Sequence, residues 1–336
     1  MKLRKLYFLL PGTTEKFYCG GLFAELKTLQ IAQQICECEV VTYRQREADK
    51  LFLDDILAQS EKFDLHQKIF VVSWGFDVNR LINKLHSQNV IYHAHSAGYG
   101  FSIPARIPII AVSRNTMGYW GQMAPHSLIY YLPNQISDGF QNLQQQRDID
   151  VLVHARKSST YLMNQLIPAL QAKCNVMVIN GFVDDLAVLF NRAKVYLYDS
   201  AEYWLQQGVS EGFGLQPLEA IACGCQIFSS VNGGLSDYLD PGFNCQKIAG
   251  YSCEFDVTRI LQAVSNPGYQ FVPDQLLAEY RRENILNRLQ VILTELNLLF
   301  DHKQIYPANI PDLTPARVWQ LKTRKFWQKF SKKIGI

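Results

Sequence analysis

Apolar and polar positions alternate between two periods along most of this chain. Lys5–Leu10 is a short apolar run cut off by Pro11-Gly12, which predicts a buried strand. Gly20-Gly21 then opens a stretch with Leu22, Leu26, Leu29 and Gln33 at helical spacing. Further short apolar runs stand at Glu39–Tyr43, Lys68–Ser73, Val90–His93 and Pro108–Val112, with the helical pattern Val78–Gln88 among them. Gln141–Asp148 is polar and aperiodic, as a linker would be. Beyond it the alternation resumes. Asp150–His154, Asn175–Asn180, Lys194–Tyr198 and Gln226–Ser230 read as strands, and Leu186–Ala193 and the stretch from Leu215 to Ala222 as helices. Phe255–Val264 and Asp274–Phe300 read as helices closing the second unit. Strands alternating with helices predict a parallel sheet covered on both faces, and the break at the linker predicts two such α/β units.

The richest stretch is Ser210–Ser229, which places Glu211 and Glu219 eight positions apart around Gly212-Phe213-Gly214. A glycine loop feeding a helix N-terminus lets backbone N–H groups approach a ligand, and the dipole favours an anion or a polar sugar there. Glu211 would face that ligand from the loop. Glu219, two turns along the helix, could accept a pair of ribose hydroxyls. At the end of the Val90–His93 strand stands Ile91-Tyr-His-Ala-His-Ser96, followed by Gly98 and Gly100. Carboxyl ends of strands in open α/β sheets are where active groups gather, and of the two histidines we favour His95. No third ligand is evident from spacing, so no metal is expected there. Asp148-x-Asp150 precedes a strand and reads as a solvated strand entry.

The string from Glu211 to Gly224 resembles the signature of retaining GT-B glycosyltransferases of family four (group 1), with Glu211, Gly212, Phe213, Gly214, Leu215, Glu219, Ala220, Ala222 and Gly224 in register. Gln216-Pro217 shifts the usual spacing by one residue, and Cys225 replaces the usual proline. The resemblance implies a GT-B architecture, two Rossmann-like domains facing each other across a cleft, and retaining transfer of a sugar from a nucleoside-diphosphate sugar, without a metal or other cofactor. It implies catalytic roles for Glu211, His95 and Arg156. It also implies a donor site of Gly20, Gly21, Lys157, Phe182, Val183, Phe213, Gly214, Leu215 and Glu219. In the family an arginine after the first strand of the donor domain is followed five residues later by a lysine, and both hold the diphosphate. Arg156 matches that arginine, but Tyr161 stands at the lysine position. That departure admits a second reading, a catalytically silent GT-B protein that binds a sugar or a partner. Asn232-Gly233-Gly234-Leu235 resembles the family's phosphate turn, with Asp237 in place of its acid. Between Asp199-Ser200 and Glu211 the chain carries a longer loop than the family norm, with Tyr203 and Trp204 as stacking candidates.

On this reading residues 1–143 form the acceptor-side domain, 144–310 the donor domain, and 311–336 a basic amphipathic helix. With 336 residues, about half of them hydrophobic, the chain has room for two cores and is not a disordered polymer. Its eight cysteines show neither zinc spacing nor a disulfide framework, which fits reduced thiols in a cytoplasmic protein. The formal charge of +3 is a property of the tail, because the seven basic residues from Arg317 to Lys333 leave −4 for the rest. A nucleic-acid partner is therefore not expected of the body. In the tail, Trp319, Thr323, Phe326, Trp327, Phe330 and Ile334 recur at three and four, with the lysines mostly on other faces. Two placements are open for this helix: on an anionic membrane beside a lipid-linked or other glycan acceptor, or folded back on the first domain.

Overall fold

The computed structural model describes residues 3–73, 75–181, 183–248, 250–266, 274–306, 311 and 313–334. Seven parallel strands form the first sheet: β1 (Lys5–Leu10), β2 (Cys38–Thr42), β3 (Leu51–Phe52), β4 (Lys68–Ser73), β5 (Val90–Ala94), β6 (Ile109–Ala111) and β7 (Ile129–Tyr131). Their spatial order is β3-β2-β1-β4-β5-β6-β7. The second sheet holds β8 (Ile149–His154), β9 (Val176–Ile179), β10 (Ala193–Tyr198), β11 (Gln226–Ser229) and β12 (Gln246–Lys247), in the order β12-β11-β10-β8-β9. Every pairing is parallel; Phe8 of β1, for example, lies between Val40 and Val71. Both sheets reverse direction of winding beside their first strand, and that switch point opens a crevice at the carboxyl ends. The twofold α/β architecture is thus the one expected.

The strands β3, β7 and β12 were not anticipated, since two or three residues carry no readable alternation. The segment expected to be a long loop after Ser200 contains a helix, Ala201–Gln207, stopped by Gly208 in the left-handed region at φ 67°. Its Ala, Glu, Leu and Gln residues favour helix.

Residues 144–310 read from sequence as one donor domain, but the helix Arg282–Ile305 packs on the first sheet. Its Ile285, Leu289, Ile292, Leu293, Leu296 and Phe300 share a buried cluster with Leu6, Phe8, Ile69, Val71 and Ile91. Polar anchors fix the same contact: the Arg4 N–H donates to Asn297 Oδ1 at 2.9 Å, and its guanidinium meets Asp301 at 2.6 Å. The sequence could not show this, because an apolar stripe says that a face is covered, not by which sheet.

The final helix, Pro315–Ile334, does not bury its rings on the first domain among the described residues: Trp319 is 67% exposed, Phe326 63%, Trp327 64% and Phe330 48%. The proline-spaced connector before it, with residues 307–310 and 312, falls largely outside the described residues. Among those described, no helix is long and apolar enough to cross a membrane. All eight cysteines are free thiols.

If the helix Arg282–Ile305 holds the first sheet, Leu296→Ala, at a fully buried position, should cost about 2–5 kcal/mol in denaturant unfolding. A loss within the noise of the measurement would mean that the helix is not part of that core.

Candidate functional site at the junction of the two sheets

The carboxyl ends of the two sheets meet at the loop Glu211–Gly214, which leads into the helix Leu215–Ala222. A side chain at position 212 would begin 1.5 Å from the His95 carbonyl oxygen, so backbone meets backbone there and only glycine fits. From the other side the Gly234 N–H donates to the Glu211 carbonyl at 2.8 Å, and a Cβ at Gly234 would fall 2.1 Å from the Gly212 oxygen. The loop is thus clamped between the end of β5 and the turn Gly233–Asp237. Further ties cross the same junction: Ser210 N–H to Ala97 O at 2.9 Å, and Arg114 N–H to Asp237 Oδ2 at 2.8 Å. Asp237, the counterpart of the family's acid, therefore faces the first domain's helix Arg114–Met123.

Glu211 is 4% exposed, and its Oε2 accepts from Tyr198 Oη at 2.7 Å, Ser200 Oγ at 3.1 Å and the Trp204 indole N–H. Lys157 Nζ stands 3.9 Å from the other oxygen and 4.3 Å from the Trp204 ring centre. The long insertion thus contributes Trp204 as a lid on this carboxylate and as a face for a cation. The strand ends at His154, and Lys157 adopts φ 72° in the turn beyond it. Arg156 in the same turn is exposed. Tyr161, at the family's lysine position, is buried and donates to Asp256 Oδ2 at 2.8 Å, so it belongs to the core and not to the junction.

Glu219 is almost as buried as Glu211, but its surroundings differ. Burial pushes its carboxyl up to about 7, an effect that Lys27 on the first domain's helix Gly20–Ala32 partly offsets. Phe213 turns its ring into the second core against Tyr238 and Tyr280, each with ring centres 5.5 Å away, so only its backbone can serve a ligand. Gly214 caps the following helix at φ 74°, and its carbonyl accepts from Tyr238 Oη. Leu215 and Val183 pack against the same core, and Phe182 lies outside the described residues. Gly20 is exposed at the start of its helix, with Gly21 half-buried after it. Asp148 and Asp150 sit at the opposite end of β8, in ion pairs with Arg192 and Lys194.

His95 and His93 are both buried, and a third group that sequence spacing missed joins them. Glu25, with no exposed surface, places one oxygen 2.6 Å from His93 Nδ1 and 2.8 Å from His95 Nε2; the two nitrogens are 3.2 Å apart. The three could surround a metal ion, but ligand atoms around a tetrahedral zinc stand about 3.3 Å apart. The two shorter distances are those of hydrogen bonds. A signal for Glu25 existed: it lies three residues after Leu22 and four before Leu29, on the apolar stripe of its helix.

The clamp makes a direct prediction. Gly212→Ala should lower stability by more than about 2 kcal/mol, since the clash is with backbone that cannot rotate away. Unchanged thermal unfolding would show that the two chain segments can separate freely.

Residues 131–269 match the family model described as glycosyl transferases group 1. No sequence among curated proteins matches the chain. Several solved structures share its fold across nearly its whole length. A sucrose-phosphate synthase from Thermosynechococcus elongatus superposes with a TM-score of 0.58 at 13% identity, covering 89% of this chain and 98% of its own. Alr3699/HepE of Anabaena, solved in complex with UDP-glucose, gives 0.57 at 14% identity, covering 90% and 99%. A glycosyltransferase from Rickettsia africae gives 0.58 at 11% identity, covering 91% and 99%. The architecture is GT-B: two parallel α/β units whose strand ends face one another, with the matched glycosyltransferase segment spanning most of the second.

Proposed function

We propose that the protein is a retaining glycosyltransferase that takes a sugar from a nucleoside-diphosphate sugar, with the donor held where the Ala155–Ser158 turn meets the N-terminus of the helix Leu215–Ala222. The observation that carries this reading is the convergence of Lys157, Glu211 and a helix N-terminus at one strand-end junction. Arg156 and Lys157 supply two adjacent cations for the diphosphate, so Lys157 offsets the family lysine replaced by Tyr161. This weakens the case for a silent binding protein. Charge that builds on the departing nucleoside diphosphate would be met by these cations and by the helix dipole, with no metal required. Glu219 would receive the ribose hydroxyls and the Val183 backbone would lie near the base. The sugar would point toward Glu211 and His95, with Gly20-Gly21 on the acceptor side. The complexes of Alr3699/HepE with UDP-glucose and UDP make a uridine nucleotide the first donor to test.

Glu219 gives a pH test of this donor site. Burial raises its free carboxyl to about 7, and the ionised form accepts a pair of ribose hydroxyls better than the acid does, so binding favours loss of the proton below that pH. UDP affinity should fall by up to about tenfold per pH unit below 7 and level off above it. Glu219→Gln should flatten the profile to what the nucleotide's own phosphate ionisation imposes. Calorimetry across pH 5.5–8.5, run as an approximate window around this carboxyl, checks it; equal profiles for both proteins would remove Glu219 from the site.

The acceptor reading rests on the tail. Between Arg317 and Phe330 the helix carries five basic residues, no acid and four exposed aromatic rings, and among the described residues nothing covers it. Such a face suits an anionic membrane, where each basic residue contributes about 1 kcal/mol and the rings lie among headgroups. It would bring a cytoplasmic enzyme to a lipid-linked acceptor. Vesicles with anionic lipid should sediment the full chain at low salt and release it at high salt, while a chain ending at Pro315 stays in solution. Equal sedimentation of both would point instead to a soluble glycan or small-molecule acceptor.

A further inference from the structure

Glu25 is an anomaly for the fold. Its helix buries Leu22, Ala24, Leu29, Ile31 and Ala32 around it, and a leucine would serve that packing without loss. Burying a carboxylate costs several kcal/mol unless partners restore what water gave. The partners here are two imidazoles that converge on a single oxygen, while Oε1 has no hydrogen-bond partner among the described residues. The two histidines hold the Glu25 carboxyl far below its usual range despite its burial. A carboxylate oxygen 2.6 and 2.8 Å from two ring nitrogens accepts from both, which calls for a proton on His93 Nδ1 and on His95 Nε2.

The consequence reaches the junction through His95. Its carbonyl is the atom against which Gly212 is pressed, and Gly212 follows Glu211 directly. The next peptide oxygen, that of Ser96, accepts from the Trp120 indole at 3.4 Å, so the strand end is fixed on both sides of this contact. His93 faces inward and borders a cavity of about 10 Å³ lined almost wholly by apolar side chains, among them Leu6, Phe8, Ile91 and Leu132. It therefore serves as the inner wedge of the cluster, and His95 as the outer member toward the cleft.

We propose that Glu25 is a positioning residue of the glycosyl-transfer site. Its one oxygen locks the tautomer and ring orientation of His95 and thereby seats the β5 end against the Glu211–Gly214 loop. This rests on the donor-site reading for its effect on turnover, but not for its effect on His95. The role of the carboxylate is that of an orienting group behind an imidazole, which selects the tautomer without touching substrate.

The test joins a spectroscopic arm to a kinetic one. In wild-type protein labelled with 15N-histidine, His95, assigned by comparison with His95→Asn, should show the Nε2–H tautomer. Glu25→Gln keeps the shape but adds N–H donors, and should change the tautomer of at least one histidine. In UDP-sugar hydrolysis the same variant should lose about tenfold or more in kcat, as misplacement of a reacting group does, with donor KM within about twofold of wild type. Glu25→Asp should recover part of that loss. An Nδ1–H His95 in the wild type, unaltered tautomers in Glu25→Gln, or stoichiometric zinc in the purified wild-type protein would each overturn the proposal. If Glu25→Gln does not fold, the wild-type tautomer and metal content still decide. If the wild type turns over no donor, the donor reading fails while the His95 spectra still judge Glu25.

Discussion

The contact on which the rest depends is backbone against backbone: the His95 carbonyl on Gly212, and the Glu211 carbonyl on the Gly234 N–H. No side chain intervenes, so the spacing between the two sheets at this point is set by peptide dimensions and cannot relax by a rotamer change. A loop held this way gives the helix Leu215–Ala222 a fixed N-terminus at the mouth of the crevice. The glycines at 212 and 234 are therefore as much joints as openings for a ligand, and removing either freedom would move the whole junction.

Around that joint three buried carboxylates sit in three different surroundings. Glu25 is fully enclosed, with two imidazole nitrogens converging on one of its oxygens and holding its carboxyl far below the usual range. Glu211 is enclosed by Tyr198, Ser200 and Trp204, with Lys157 nearby. Among the described residues no such donor reaches Glu219, and desolvation lifts it to about 7. Glu25 and Glu219 diverge through hydrogen-bond supply and not through depth, since both are nearly inaccessible. Groups pushed apart in this way can divide labour within one cleft.

Sequence reading reached the architecture because short apolar runs alternating with helical stretches and glycine punctuation leave little choice of fold class. It also found the stretch from Glu211 to Glu219, because glycine and carboxylate spacing there is dense. It missed what depends on distant partners. Glu25 lies some seventy residues from its histidines, and the cover supplied by Arg282–Ile305 comes from the far end of the chain. Trp204 was named, but its seat on Glu211 depends on a helix, Ala201–Gln207, that looked like a loop.

The central claim is that a nucleoside diphosphate binds at the junction, between the Ala155–Ser159 turn and the loop running into the helix Leu215–Ala222. Hydrogen–deuterium exchange of the wild-type chain with and without saturating UDP addresses it most directly. The account predicts slowed exchange in the amides of residues 155–159 and 211–219, with little change on the outer helices. Protection confined to other parts of the chain, or none at a concentration where binding is measured independently, would contradict it.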